Sequence, residues 1–567
     1  MALTGREAIL KQFLADGFRF MFGNPGTVEQ GLLDALKDYP ELRYILTLQE
    51  TVAVMVADGY ARAARKPALV QIHSTPGLGN SIGALYQAMR GHAPLVVIGG
   101  DAGIRYQAMD SQMAGDLVGM AKPVTKWSTM VLDPSALLRT IRRATKIAAT
   151  PPMGPVYVCV PMDVLDAPCT EEIRPTSIPS TRSSPDSSLI SDAAALLVGA
   201  QRPIFFVGDG IAFSDAQDEL AKVAELVGAE VWEADAGEVN MDYSHPLYQG
   251  MTGHMFGKNS LPITSKGDVN FVCGTYMLPE VFPELGDIFG AGSKVIHVDL
   301  NLYEIAKNHR VDIGLLGDPK VTLAKLAVEL ESKLTPQQAA AARQRVDKLS
   351  REKAAKKAAQ VNKDAEAPGS GRPRMEHFIQ ELAKRVPSDV IIFDEALTNS
   401  PPISRYLPPS RTAQYFLTRG GSLGVGFPGA IGAKLANPGK TVIGFSGDGG
   451  SMYTIQALWT AVRHKTDVKF VVCNNQTYRL LQLNIDVYWQ EREIAKHDFP
   501  LSFDLSYPAL KFADLARGMG VEAVRVEHPS EIAPAIDRAL AHSGPFLIDL
   551  VLEGDTKPDL VGNTCGQ

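Results

Sequence analysis

Short apolar runs alternate with amphipathic stretches along most of this chain. In the first third, residues 18–22, 44–48, 68–73 and 95–99 read as strands. Residues 8–15, 50–64 and 79–90 read as helices between them. Runs this short that are apolar at nearly every position suit strands buried on both faces. Alternating with helices, they predict parallel sheets covered on both sides. The pattern returns around the strands 203–208 and 294–300, with a helix over 215–227. It returns again with strands at 441–445 and 468–473 and a helix over 452–462. The expected fold is α/β, with three doubly wound parallel-sheet domains over 1–180, 188–335 and 375–553.

Between these units the pattern lapses. Residues 170–185 are rich in Pro, Ser and Thr and read as a linker. Residues 336–374 are rich in Ala, Lys, Gln and Arg and close on Gly-Ser-Gly-Arg-Pro. They read as a surface helix followed by a flexible crossover. The first and third units share a faint pattern. Gly77-Leu78-Gly79 and Gly83-Ala84 precede one strand much as Gly421–Gly424 and Gly429-Ala430 precede another. That suggests two related domains flanking a different one.

Composition narrows the function. The chain of 567 residues is 45% apolar and 21% charged, with net charge −7. An acidic balance without a basic stripe argues against nucleic acid as a partner. No run of about 18 apolar residues exists, so no membrane span is expected. The N-terminus carries no signal pattern. Five scattered cysteines without metal spacing read as core thiols, and the expected compartment is the cytoplasm.

The most specific chemistry lies near the C-terminus. Thr441–Phe445 leads into Gly447-Asp448-Gly449-Gly450-Ser451, and a second apolar run delivers Asn474-Asn475. An Asp and an Asn at the ends of two parallel strands can share one hard cation. Mg²⁺ takes oxygen ligands and keeps phosphate oxygens in its shell. Asp448 would supply charge, Asn475 an amide oxygen, and Thr477 a main-chain carbonyl. Gly449, Gly450 and Ser451 open a helix, so their N–H groups can face a diphosphate.

Four further positions take part in this reading. Glu50 opens a long apolar helix, a place where the helix dipole alone favours Glu. Leu423 stands in Gly420-Gly421-Ser422-Leu423-Gly424, 25 residues before Asp448. His73 ends a strand, where an imidazole is as often structural as chemical. Asn24-Pro25-Gly26-Thr27 encodes a turn well.

Together these strings resemble the thiamine-diphosphate enzymes of the pyruvate oxidase/decarboxylase family, in its benzoylformate-decarboxylase-like branch. The resemblance covers the entire chain. It also rests on Leu48-Gln49-Glu50, Ala57-Asp58-Gly59-Tyr60, Ile72-His73-Ser74, Lys126-Trp127-Ser128, Gly154-Pro155-Val156-Tyr157, Ala457-Leu458-Trp459-Thr460 and Asn474-Asn475-Gln476-Thr477-Tyr478. It implies a pyrimidine-binding domain, a central Rossmann-like domain and a diphosphate-binding domain. Thiamine diphosphate and Mg²⁺ are the implied cofactors. Asn24, Pro25, Thr398, Gly447 and Tyr478 join the residues above as cofactor contacts. Glu50 would act on the aminopyrimidine ring and so generate the C2 ylide. Leu423 would be the pivot that bends the cofactor, and Gly421 would offer its carbonyl to the 4′-amino group. Thr27 and His73 would hold a 2-oxo acid while CO₂ leaves, with an enamine as intermediate and an aldehyde as product. The resemblance implies a homodimer or homotetramer with sites at the subunit interface.

The chain departs from that branch in places. Thr27 stands for a serine. Leu417 and Leu480 replace a phenylalanine and an alanine against the substrate. A second active-site histidine has no counterpart in Tyr276–Val281. Gln112 replaces an apolar residue, as in carboligating relatives of the acetolactate synthase or benzaldehyde lyase type. The alternative is therefore a carboligase or lyase that forms or cleaves acyloins, with an acceptor aldehyde as second substrate. Some relatives bind FAD in the central domain, and Gly208-Asp209-Gly210 does not decide that question.

Overall fold

The computed structural model describes residues 3–234, 236–366 and 371–553. Three six-stranded sheets dominate it, and every strand pairing within them is parallel. The first sheet runs, in spatial order, Arg43–Leu46, Phe20–Gly23, Ala68–Ile72, Leu95–Asp101, Val156–Pro161, Trp127–Met130. The third runs Tyr415–Leu417, Ile391–Glu395, Val442–Gly447, Lys469–Asn474, Phe546–Val551, Glu522–Val526. Numbered along each domain, both read 2-1-3-4-6-5. The faint internal pattern in the sequence thus reflects a shared topology. The central sheet reads 3-2-1-4-5-6, the order of a dinucleotide-binding fold. A two-residue pairing of Leu3–Thr4 with Pro168–Cys169 closes the first domain.

The sequence reading of the elements holds with small shifts that have local causes. The expected strand 44–48 stops at Leu46. Thr47 turns its hydroxyl onto the carbonyls of Gly23 and Gln49, and Gln49 caps the helix Glu50–Ala64. The helix expected over 79–90 begins five residues earlier, at Ser74. Pro76 falls in its first turn, where the missing N–H has no helical acceptor to lose. The expected helix 452–462 is interrupted. One turn spans Asp448–Ser451, and the helix resumes at Ala457–Arg463. Between them the bonds tighten to i→i+3, from Tyr453 N to Gly450 O and from Thr454 N to Ser451 O. Thr454 also spends its hydroxyl on Gly424 O, outside the helix. Residues 170–186 carry no helix or strand. Helix Pro336–Asp364 forms as expected, while the crossover after it lies partly outside the described residues, as does Cys565.

The first and third domains meet through helices Glu50–Ala64 and Gly426–Ala436. A methyl group on Gly59 would lie 2.0 Å from Gly429 O, and one on Gly432 2.0 Å from Val56 O. Only glycine lets the two backbones approach this closely. Arg62, buried near the end of the first helix, ties all three domains. It pairs with Glu238 at 2.8 Å, donates to Gly237 O at 2.6 Å and to Leu417 O at 3.2 Å.

Candidate active site

Three neighbouring strands of the first sheet deliver one cluster at their C-terminal ends. Phe20–Gly23 leads into Asn24-Pro25-Gly26-Thr27, Arg43–Leu46 into Glu50, and Ala68–Ile72 into His73. The Glu50 carboxylate is buried and held on both sides. Asn24 Nδ2 donates to Oε1 and Asn80 Nδ2 to Oε2, each at 3.0 Å. Gly77 packs against it, and a Cβ there would sit 3.1 Å from the carboxylate. His73 Nδ1 lies 2.9 Å from Glu29 Oε2, and Glu29 Oε1 accepts Gly100 N–H at 2.9 Å. Burial pushes the Glu29 carboxyl up, against the pull of His73 and the Gly100 N–H. With Nδ1 engaged, Nε2 is the ring nitrogen available to a ligand. Gly26 lies on the imidazole so closely that a Cβ would be 1.8 Å from Nδ1. Thr27 is exposed and opens the turn Thr27–Glu29, which carries Glu29 under His73. Pro25 is exposed beside it, and Gln112 is exposed in the loop after Leu95–Asp101.

The third sheet delivers a second cluster. Gly447 pairs with Cys473, so Asp448 and Asn474-Asn475 leave adjacent strands at one level. Asp448 is buried. Its Oδ1 accepts Gly449 N–H at 2.8 Å and its Oδ2 accepts Gln476 N–H at 2.6 Å. Burial pushes this carboxyl up to about 6, with those N–H groups opposing. Asn475 Oδ1 accepts Thr477 N–H at 3.2 Å, and Thr477 Oγ1 donates to Phe503 O. Gly449 is required by Tyr478, whose ring would be 2.2 Å from a Cβ. Ser451 Oγ donates to Gly447 O at 2.7 Å. Methyl groups on Gly447 or Gly421 would meet nothing within 4 Å, so open space faces both. Leu423 is half-buried between Gly421 and Gly424, both with positive φ. Thr398 is buried in the turn after Ile391–Glu395, and Leu480 lies half-buried in the first turn of Arg479–Glu491. Leu417 ends its strand, with its N–H on Gly237 O and its side chain against the core shared by the central and third domains.

Models of three domains match this chain in order. They are the N-terminal TPP binding domain over residues 3–120, the central domain over 190–326, and the C-terminal TPP binding domain over 399–550, all of thiamine pyrophosphate enzymes. The chain belongs to the thiamine pyrophosphate enzymes. It is 30% identical to benzoylformate decarboxylase of Pseudomonas aeruginosa, over 94% of this chain and 96% of that protein. It is 29% identical to a probable acetolactate synthase large subunit of Methanocaldococcus jannaschii, over 97% of this chain and 92% of that one. Among solved structures, the 4-hydroxybenzoylformate decarboxylase of Rhodococcus jostii RHA1 superposes with TM-score 0.85 and 26% identity, over 98% of this chain and all of that one.

The residues fit the cofactor this family is named for. A buried acid whose described hydrogen bonds come from backbone N–H groups, beside an amide oxygen and the open face of Gly447, suits a hard cation and a diphosphate. The Gly208-Asp209-Gly210 turn is accounted for by packing and by its own hydrogen bonds. The Gly208 and Gly210 positions answer to packing against Gly274 and Thr275, where Cβ atoms would clash at 2.5 Å. Asp209 turns its carboxylate onto the N–H groups of Gly237 and Glu238. A cleft of about 520 Å³ does lie beside this turn, lined by Arg90, Lys126, Arg182, Tyr276 and Asp299 among others.

The sequence reading missed Glu29, Asn80 and Glu395. Glu29 sits two residues beyond Thr27, and Asn80 in the second turn of the helix after His73. Neither spacing announces a partner for Glu50 or His73. Glu395 had a signal, because Asp394-Glu395 places two acids at the end of a fully buried strand.

Proposed function

We propose that this enzyme binds thiamine diphosphate and Mg²⁺ and decarboxylates a 2-oxo acid without oxidation, releasing CO₂ and an aldehyde. The observation that carries this reading is His73. It is fixed by buried Glu29, covered by Gly26 and set beside exposed Thr27, on the same sheet edge as Glu50. Asp448, Asn475 and the Thr477 carbonyl would hold the metal, and Gly449, Gly450 and Ser451 the diphosphate. Bound thiamine diphosphate supplies the electron sink that the departing carboxylate requires. Glu50, oriented by Asn24 and Asn80, would hold and pass a proton at the aminopyrimidine nitrogen. Thr27 Oγ1 and His73 Nε2 would bind the carboxylate and carbonyl oxygens of the substrate. Leu417, Leu480 and Gln112 would bound its side chain.

Each site takes its two clusters from different copies of the chain. Within one chain they lie at opposite ends of the third sheet. Leu46 N–H donates to His464 Nε2 at 2.9 Å, which puts the Glu50 end of its helix near the N-terminal ends of the third domain's strands. Arg62, at the other end of the helix, reaches Leu417 at the C-terminal ends, where Asp448 also lies. Six-residue strands separate those ends by about 20 Å. We therefore assign a homodimer, or a tetramer built from such dimers, as the active form.

A second reading, carboligation to an acyloin, draws on Gln112 and on Tyr276–Val281, which offers no histidine to protonate the product. A panel of 2-oxo acids, with and without an acceptor aldehyde, separates the two. Aldehyde as main product in both arms supports decarboxylation. Acyloin as main product overturns it in favour of carboligation.

A further inference from the structure

Leu423 sits between two unlike stretches of backbone. On its N-terminal side Gly420 and Gly421 take φ of +64° and +69°. Side chains rarely adopt that conformation, and a methyl on Gly421 would meet only open space. On its C-terminal side the chain is pinned. Gly424 donates its N–H to Glu395 Oε1, and its carbonyl accepts Thr454 Oγ1 at 2.6 Å. Two residues on, Gly426 donates its N–H to Glu395 Oε2 at 2.7 Å. Ser446 Oγ, two residues before Asp448, donates to the same oxygen at 3.2 Å. Gly450 lies against Glu395 as well, with a would-be Cβ 3.0 Å from Oε1. Glu395 is 1% exposed. One buried carboxylate thus touches the loop of Leu423, the strand feeding Asp448, and the turn after it.

We propose that Glu395 is a positioning residue that sets the height of Leu423 over the diphosphate turn, and so the bend of the bound cofactor. The proposal rests on the reading of Leu423 as the pivot. Both carboxylate oxygens act as acceptors, each for a backbone N–H of the pivot loop. Glutamine would turn an NH₂ toward one of these donors, leaving a buried N–H unpaired. Aspartate keeps two acceptor oxygens but withdraws them by one methylene. On the other side of Leu423 the hold is lighter, with glycines at 420 and 421 and one long bond, from Thr418 Oγ1 to Ser422 O at 3.4 Å.

The test uses the full-length protein as Glu395→Gln, Leu423→Ala and the double variant. Affinity for thiamine diphosphate with Mg²⁺ is read from tryptophan fluorescence. The conformation of the bound cofactor is read from near-ultraviolet circular dichroism, and C2–H exchange from NMR of acid-quenched samples. Glu395→Gln should weaken binding about tenfold, the scale of one buried N–H left without its acceptor. It should also alter the dichroism and slow exchange. The double variant should exchange C2–H no more slowly than Leu423→Ala, because Glu395 reaches the exchange step through that side chain. Binding and exchange within twofold of wild type in Glu395→Gln, or losses that multiply in the double variant, would overturn the proposal. If Leu423→Ala leaves exchange unchanged, the pivot reading itself falls and the proposal falls with it. Should Glu395→Gln fail to fold, Glu395→Asp takes its place, with the same direction expected and the same twofold limit refuting it.

Discussion

Gly26→Ala is a one-methyl test of the histidine. Gly26 has φ −147° and ψ 176°, an extended backbone that alanine adopts freely. The change therefore adds no backbone strain and acts only through the new methyl. That methyl would stand 1.8 Å from His73 Nδ1 and 1.9 Å from Cγ. Ordinary contact needs about 3.4 Å or more, so the ring must move by about 1.5 Å. Such a move stretches the 2.9 Å bond to Glu29 beyond hydrogen-bonding range and leaves Oε2 of a buried carboxyl without its partner, while Oε1 keeps the Gly100 N–H. A lost bond of this charged kind costs about 1.5–3 kcal/mol, or roughly ten- to hundredfold in kcat/KM. The assay is CO₂ release from the best 2-oxo acid, with cofactor affinity measured alongside. Affinity should change little, because the diphosphate cluster lies on the other domain. The same methyl in a His73→Ala background should cost nothing further. Wild-type turnover in Gly26→Ala, or an equal loss in both backgrounds, would refute the assignment of His73.

Glu50→Gln should retain the cofactor yet lose C2–H exchange; unchanged exchange rules out Glu50 as the ring's proton partner. Glu233 bears on stability. It is buried in the central domain and accepts from Tyr243, Tyr248 and Asn240, yet burial prevails and pushes its carboxyl up to about 7. The folded state thus holds this proton more tightly than the unfolded chain. That contribution is complete below about pH 4.5 and is lost as pH rises through 7, by about 3 kcal/mol at most. Glu233→Gln should flatten the fall in the urea midpoint between pH 5 and 8, and an unchanged slope would contradict the burial argument.

Sheets and clamp were legible because their signals are local. Buried parallel strands are short apolar runs, and Asp448 with Asn475 needs only two such runs with polar ends. The supporting residues were not legible because their partners are distant in sequence. Glu29 meets Gly100 and Glu395 meets Gly426, contacts that depend on which strands become neighbours. The interruption at 452–456 was hidden for the same reason, since Thr454 bonds Gly424 from 30 residues away. The glycines at 59 and 432 gave no sign of their role either, because it exists only once two domains press helix on helix.

The separation of Glu50 from Asp448 within one chain gives the assembly a stringent test. Take two inactive variants, Glu50→Gln and Asp448→Ala, each purified alone. If a site takes Glu50 from one copy and Asp448 from its partner, a mixed dimer holds one site with both lesions and one with neither. Random reassortment of equal amounts makes about half the dimers mixed, so about a quarter of all sites regain both groups. Activity should rise from the background of either variant to roughly a quarter of wild type, over the time the dimers take to exchange. If a site lay within one chain, every copy would carry a lesion in its own site, and mixing would restore nothing. Subunit exchange can be followed independently with a size tag on one variant. Exchange without recovered activity would therefore refute the shared site, and would leave a gap of about 20 Å, one strand length, to be closed by a rearrangement within the chain.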